Sequence, residues 1–394
     1  MSYLADRITR SPPKSYGMAG RAAELDAEEF IHLELGRPCH DTPAFIKDAT
    51  IKALLAGKVH YSDFRGQPEL RSALSQKLRS FNGIPAGAEQ VLVTNGLTQA
   101  SYAAFMATIN PGDEVILLAP FYPQHVGKIA LAGGTPVIAP LDAADNFSIK
   151  PALIEPHITQ RTKAIVIVNP CNPTGRVYTH QELEGLAQLC QRHDLLVISD
   201  EVYEHITFDD HKHLSIASFP GMAERTISMF AFTKAYAMDG WRLGYVTASQ
   251  ELINGMLKIT TSEVTHVNSF IQDGARAAIV DGAVALKSMV DDDRYKRDFV
   301  VKALNRMRGV RCEMSEGTIY AFPNIAGTGW SSQALADALL EQCKVVVEAG
   351  SFYGTAGQGH LRICFGSQSL SRLETAMQRL HKFFERLEFR DKAA

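Results

Sequence analysis

Short apolar runs alternate with amphipathic stretches from about residue 90 onward. The runs are strand-sized and rich in β-branched residues, which is typical of strands buried on both faces of a parallel sheet. Their alternation with helical stretches predicts an α/β fold in which a mostly parallel sheet is flanked by helices. The seven predicted strands are Val91–Thr94, Glu114–Leu118, Pro136–Ala139, Ala164–Val168, Leu196–Ser199, Thr226–Phe230 and Leu243–Thr247.

The connections between these strands differ in length. Gln181–His193 carries apolar residues on one stripe and predicts a connecting helix. The last two predicted strands are separated by only about a dozen residues, which leaves no room for a full crossover helix. The pattern therefore favours an antiparallel final strand.

The remainder of the chain predicts a second, smaller unit. A long charged helix, Asp291–Arg308, is followed by shorter elements. We predict a smaller α/β C-terminal domain at 291–394 and a large domain at 46–290. Residues 1–45 are predicted to form an N-terminal arm and part of the small domain, because the first residues mix Pro, Gly and charge without periodicity.

Composition excludes several classes of protein. The 394-residue chain has a formal net charge of −3, which favours neither nucleic-acid nor membrane binding. No apolar run approaches the roughly 20 residues that span a bilayer, and the N-terminus lacks the apolar core of a signal peptide. The six cysteines are widely spaced without a CxxC motif, so neither disulfides nor a metal site is suggested. We expect a cytoplasmic protein.

Chemically suggestive residues follow four of the predicted strands. They are Asn95–Gly96, the NPCNPTG segment at 169–175, Asp200–Tyr203 and Phe232–Lys234. Open α/β sheets bind ligands at the carboxyl ends of their strands. The sequence therefore predicts one ligand site at that edge of the sheet.

Taken singly, each of these features has an ordinary structural explanation. NPCNPTG fits a turn, Asp200 fits a helix cap, and most lysines are solvated surface charges. A carboxylate at the end of an apolar strand is nevertheless costly unless a cation meets it. Lys234 lies in an aromatic setting, where an amine tends to lose its charge and become a nucleophile for Schiff-base chemistry.

The motifs NPxNPTG, DExY, TK followed by GWRxG, and LRIxF occur together between about Leu33 and Phe365. In this order and spacing the chain resembles the fold-type I enzymes that use pyridoxal 5′-phosphate (PLP), specifically the class I/II aminotransferases of the aspartate aminotransferase superfamily. The resemblance implies the large and small α/β domains predicted above, and PLP as the cofactor.

The resemblance also implies a role for each matching residue. Lys234 would hold PLP as a Schiff base and carry the proton at the reacting carbon. Asp200 would pair with the protonated pyridine nitrogen, while Tyr203 and Asn172 would hydrogen-bond the phenolic oxygen. Arg242 would bind the phosphate as a bidentate fork.

Further positions complete the cofactor site that the resemblance implies. The amides of Gly96, Leu97 and Thr98 open a helix whose N-terminus attracts an anion, and they would cradle the phosphate together with Thr233. Tyr122 would stack on the cofactor ring. Tyr61 would reach the phosphate of a neighbouring subunit, which implies a homodimer with shared active sites.

The implied substrates are an L-amino acid and a 2-oxo acid. Arg362 would clamp the substrate α-carboxylate, aided by Gly36 and Asn172. The implied reaction is a ping-pong amino-group transfer. The alternatives are a lyase on the same scaffold, such as a β-lyase of cysteine S-conjugates, and a non-catalytic PLP-binding regulator, for which the chain has no room for an added DNA-binding domain.

Three positions depart from the family pattern. Ala231 stands where a serine often contributes to the phosphate site. Arg37 follows Gly36 where acidic residues are usual, and it could pair with an acidic side chain or form a surface salt bridge. Thr98 replaces the lysine expected in the dicarboxylate-using branch. With Tyr16 on an arm that folds over the opening, this pattern predicts that neutral or aromatic donors exceed aspartate in kcat/KM.

Overall fold

The computed structural model describes residues 3–11 and 15–388. Helices and strands alternate through most of this range. The strands are β1 (Ile31–His32), β2 (Val91–Thr94), β3 (Glu114–Ala119), β4 (Thr135–Pro140), β5 (Thr162–Val168), β6 (Leu196–Asp200), β7 (Thr226–Ala231), β8 (Gly244–Thr247), β9 (Tyr320–Ala321), β10 (Val345–Val346), β11 (Glu348–Ala349) and β12 (Leu361–Cys364). The helices are α1 (Asp6–Arg10), α2 (Gly17–Ala22), α3 (Ala44–Leu55), α4 (Pro68–Ser80), α5 (Gly96–Thr108), α6 (Gln124–Leu131), α7 (Pro151–Ile154), α8 (His180–Arg192), α9 (Gln250–Glu263), α10 (Ser269–Asp281), α11 (Ala283–Leu304), α12 (Ser332–Ala338) and α13 (Leu370–Arg386).

A seven-stranded sheet forms the centre of the fold, in the order β2-β8-β7-β6-β5-β3-β4. All seven predicted strands are present and pair in this sheet. The pairs β3–β4, β3–β5, β5–β6 and β6–β7 are parallel, whereas β8 is antiparallel to both β7 and β2. The predicted sheet and its antiparallel strand are confirmed.

The sheet is buried on both faces. Along β3, Ile116 packs in one apolar cluster with Leu183 and Leu186 of α8, whereas Val115 packs in another cluster with Phe105 of α5 and Ile253 of α9. Successive side chains of a strand point to opposite faces, so a fully apolar strand supplies both clusters.

Helix α8 begins at His180, one residue before its predicted start at Gln181.

A smaller group of elements is built from both parts of the chain. Strand β1 pairs in parallel with β10, and β11, β12 and β9 form an antiparallel sheet. Helix α11 begins at Ala283, earlier than the predicted Asp291, because the apolar helix formers before Asp291 continue the same helix. It therefore crosses position 290 without a break, and the domain boundaries stay predictions. Residues 389–394 of the predicted C-terminal domain, and residues 1, 2 and 12–14 of the arm, lie outside the described residues.

Strand direction determines where the functional side chains meet. Strands β2, β3, β5, β6 and β7 run the same way, so their carboxyl ends meet at one edge of the sheet. None of the helices within residues 3–11 and 15–388 has the length and apolarity needed to cross a membrane.

Candidate active site

A cavity of about 280 Å³ opens at the carboxyl edge of the sheet. Most of the site residues predicted from the sequence line it. These are Gly36, Leu97, Thr98, Tyr122, Asn172, Asp200, Tyr203, Thr233, Lys234, Arg242 and Arg362. The two other predicted site residues, Gly96 and Tyr61, are not part of its lining, and they are described below.

Lys234 follows the end of β7 and is partly buried in the cavity wall. Its Nζ donates a hydrogen bond to the carbonyl oxygen of Gly36. Burial lowers the pKa of Lys234, and the guanidinium groups of Arg362 and Arg242 lower it further, against the opposing effect of Cys364. A lysine with a lowered pKa in a cavity wall has the properties of an amine nucleophile.

Asp200 ends β6 and is 3% exposed. Its Oδ1 accepts a hydrogen bond of 3.2 Å from the amide of Val202. Burial raises the pKa of Asp200 to about 6, while Lys128 acts in the opposite direction. A buried carboxylate of this kind is suited to a cationic partner in the cavity, which would restore its charged form.

His125 and Lys128 support Asp200 and were not predicted from the sequence. They lie one turn apart on α6, and His125 Nε2 is 3.8 Å from Asp200 Oδ2. Burial lowers the pKa of His125 well below its ordinary value, and the charge of Lys128 acts in the same direction. Lys128 lines the cavity and donates to Ser101 Oγ at 2.5 Å. The sequence did indicate that His125 and Lys128 lie together, since residues three apart share a helix face.

An anion-binding corner forms where α5 begins. Gly96 has a φ of +73°, and a Cβ atom there would lie 2.8 Å from Nη2 of Arg242. The backbone of Gly96 therefore approaches the guanidinium closely. Leu97 and Thr98 place their amides in the first turn of α5, and Thr233 is buried nearby in the cavity wall. Helix N-terminal amides beside an arginine favour a phosphate group.

Arg362 lies on β12 with 6% of its surface exposed. Its Nη1 donates to Asn172 Oδ1 at 3.1 Å, its Nη2 donates to the carbonyl oxygen of Glu34, and its guanidinium stacks 4.3 Å from the ring centroid of Tyr320. Among residues 3–11 and 15–388, no carboxylate forms an ion pair with Arg362, and its Nε is buried without a hydrogen-bond partner. The group is thus available to an incoming carboxylate.

Aromatic hydroxyls and rings enclose the remainder of the cavity. Tyr203 Oη lies 2.6 Å from Tyr320 Oη. Tyr122 packs edge-on against His125, with ring centroids 5.3 Å apart. Tyr16 also lines the cavity, as the sequence prediction of a folded-over arm requires.

Tyr61 and Arg37 lie away from the cavity lining. Tyr61 is 88% exposed and stacks on His266 with ring centroids 4.6 Å apart. Arg37 is exposed at the surface. A role for Tyr61 in the cofactor site of its own chain is therefore not supported by its position.

Comparison with known proteins identifies the family. The profile of the family described as aminotransferase class I and II matches residues 28–380. The chain belongs to this family. It is 39% identical to an aspartate aminotransferase of Pyrococcus abyssi, over 90% of this chain and 92% of that protein. It is 37% identical to aromatic-amino-acid aminotransferase 2 of Thermococcus litoralis, over 96% and 97% of the two chains.

Solved aminotransferases share the fold. The aspartate aminotransferase from Thermus thermophilus with maleate superposes with a TM-score of 0.90 at 32% identity, over 97% of this chain and all of that chain. An aromatic aminotransferase from Pyrococcus horikoshii gives 0.89 at 37% identity, over 93% and 98%. The protein is a PLP-dependent transaminase that transfers amino groups.

The residues of this aminotransferase fit PLP. The cavity offers a lysine amine at Lys234, a buried carboxylate at Asp200 and an anion-binding corner at Arg242. These groups complement an aldehyde, a protonated pyridine nitrogen and a phosphate, respectively.

Proposed function

We propose that Lys234 attaches PLP covalently, as a Schiff base, and moves the proton at the substrate α-carbon. The observation that supports this most directly is the placement of Lys234, Asp200, Arg242 and Arg362 around one cavity. PLP, when bound, withdraws electrons from the substrate α-carbon. Burial and two neighbouring arginines lower the pKa of Lys234, which favours the neutral amine that accepts this proton.

Borohydride reduction tests the attachment. The holoenzyme is reduced, digested and mapped, and we expect the pyridoxyl group on the peptide that contains Lys234. A pyridoxyl group on another lysine would exclude this assignment. Replacement of Lys234 by Ala should lower turnover by several orders of magnitude, because it removes the group that carries the proton.

The proposed substrates are an L-amino acid donor and a 2-oxo acid acceptor that react in turn by a ping-pong mechanism. Arg362 binds the α-carboxylate common to both, since its guanidinium has no carboxylate partner within the described part of the chain. Asn172 accepts a hydrogen bond from one edge of the guanidinium, and Gly36 lines the same cavity. Tyr203 and Asn172 would hold the cofactor by hydrogen bonds to its phenolic oxygen.

We further propose that neutral or aromatic donors are preferred over aspartate. Thr98 supplies no cation, and Arg37 is exposed outside the cavity lining. Lys128 is held at the Asp200 end of the cavity, where it bonds Ser101. A buried side-chain carboxylate would therefore lack a charge-assisted hydrogen bond worth about 1.5–3 kcal/mol. Measurement of kcat/KM for phenylalanine, norleucine and aspartate tests this, and an aspartate value about tenfold higher would contradict it.

The proposed assembly is a homodimer in which Tyr61 serves the phosphate of the partner's site. Its exposure and its position outside the cavity lining of its own chain support this arrangement. The proposed location is the cytoplasm, and the six free cysteines are consistent with a reducing compartment. Nucleic acid and membranes are not among the proposed partners.

A further inference from the structure

Two buried carboxylates lie beside the substrate-binding arginine. Glu34 and Glu348 are each 2% exposed and both line the cavity. Glu348 on β11 is paired across the antiparallel ladder with Arg362 on β12. The carbonyl oxygen of Glu34 accepts a hydrogen bond from Nη2 of Arg362. The acidic side chains are therefore at the substrate end of the cavity, and neither was predicted from the sequence.

The protein does not supply either carboxylate with a full set of hydrogen-bond donors. Glu34 Oε1 lies 2.9 Å from His32 Nδ1, but Glu34 Oε2 is buried and accepts no hydrogen bond from any described residue. Glu348 accepts hydrogen bonds only from backbone amides in the described ranges, those of Met18 and Ala349. Burial raises the pKa of Glu348 to about 7, and repulsion by Glu34 adds to that rise against the effect of Arg362.

Substrate binding changes the charge around Glu34 and Glu348. The substrate α-carboxylate neutralises Arg362, which pairs with Glu348 across the antiparallel ladder and donates to the backbone carbonyl of Glu34. Two buried acidic groups then remain. A side-chain carboxylate would be repelled, and a neutral side chain would leave Glu34 Oε2 desolvated without a partner, which is unfavourable. A cationic side chain would supply the missing donor.

We propose that the preferred amino donor is a basic amino acid, ahead of the neutral and aromatic donors that exceed aspartate, and that Glu34 and Glu348 bind its side-chain ammonium or guanidinium. This rests on the proposed aminotransferase function and names its substrate class. The aliphatic part of such a side chain packs against aromatic rings of the same cavity, Tyr16 and Phe352. Glu34 contributes most to recognition of the basic side chain, because its Oε2 has no hydrogen-bond partner among the described residues. Glu348 also accepts a hydrogen bond from the Met18 amide of the N-terminal arm.

Three pairs of amino acids of matched shape test the proposal on the wild-type holoenzyme. Arginine is compared with citrulline, lysine with norleucine and ornithine with norvaline, by the rate at which each donor removes the cofactor absorbance in a single turnover. At least one basic amino acid should exceed its neutral counterpart by about tenfold or more in kcat/KM. If all three basic amino acids react no better than their counterparts, the proposal is wrong.

The same panel distinguishes the basic substrate from the aminotransferase function on which it rests. Turnover of neutral donors without a preference for basic ones would reject the basic substrate and leave the aminotransferase function intact. Failure of every amino acid in this panel, with phenylalanine or aspartate still removing the cofactor absorbance, would likewise reject the basic substrate alone.

A conservative variant then tests Glu34 itself. Glu34→Gln keeps the shape and removes the charge, and it should lower the ratio of kcat/KM between the preferred basic donor and its neutral counterpart by about tenfold or more. Glu28→Gln is the matched control, because Glu28 is exposed outside the cavity, and it should leave the ratio unchanged. An unchanged ratio in Glu34→Gln would overturn the assignment. If that variant fails to fold, the wild-type panel still decides.

Discussion

The anion-binding corner can be tested by adding one methyl group to it. Gly96→Ala places a Cβ atom 2.8 Å from Nη2 of Arg242, at a backbone φ of +73°. The left-handed conformation costs an L-residue about 1–2 kcal/mol, which lowers stability with or without cofactor. The guanidinium must also move away. Loss of its charge-assisted hydrogen bond to the phosphate, worth about 1.5–3 kcal/mol, should weaken PLP binding by roughly 10- to 150-fold.

Gly57→Ala is the control for backbone strain. Gly57 has a φ of +78°, and a Cβ atom there would meet nothing within 4 Å. It should therefore lose a similar free energy of unfolding while keeping wild-type affinity for PLP. Both variants are prepared without cofactor and titrated with PLP, and binding is followed by the cofactor absorbance. If Gly96→Ala binds PLP as tightly as Gly57→Ala does, Arg242 does not bind the phosphate at this corner.

Three other predictions concern charge and assembly. Asp200→Ala should lose most activity and Asp200→Glu should retain some, because the carboxylate keeps the ring nitrogen protonated; near-normal turnover of the Ala variant would contradict this role. Sedimentation should show a dimer, and Tyr61→Phe should weaken PLP binding; an active monomer would exclude the shared site. Burial raises the pKa of Glu348 in the folded state to about 7, above its ordinary value of 4.5. Its protonated form therefore stabilises the fold fully below about pH 4.5, and this stabilisation is lost as the pH rises through about 7. Denaturant unfolding at about pH 5 and about pH 8 should therefore show a larger loss of stability in the wild type than in Glu348→Gln.

The central sheet could be predicted because its strands are buried on both faces. Their sequences are nearly continuous apolar runs, and runs of this kind have few other structural solutions. The functional residues follow these strands directly, so their convergence could be predicted from strand direction alone. The predicted start of helix α11 is too late because its first turns are mostly apolar and its dense run of charges begins only at Asp291.

The position of Glu34 and Glu348 in the cavity could not be predicted in the same way. Glu34 and Glu348 come from distant parts of the chain and meet only because β11 pairs with β12 and the segment after β1 lies beside them. Nothing in the local sequence indicates that either glutamate is buried. His125 and Lys128 are different, since their spacing on one helix was visible and only their proximity to Asp200 required the structure.

The hydrogen bonds between the Met18 amide and Glu348 join residues 330 positions apart in the chain. Strand β1 likewise pairs with β10, so Ile31 meets Val345. During translation these early residues are made before every strand of the central sheet and reach their partners only after that sheet has had time to form. A chain terminated before β10 would contain all seven strands of the central sheet and lack Glu348 and Arg362, so it would be unable to enclose an amino acid.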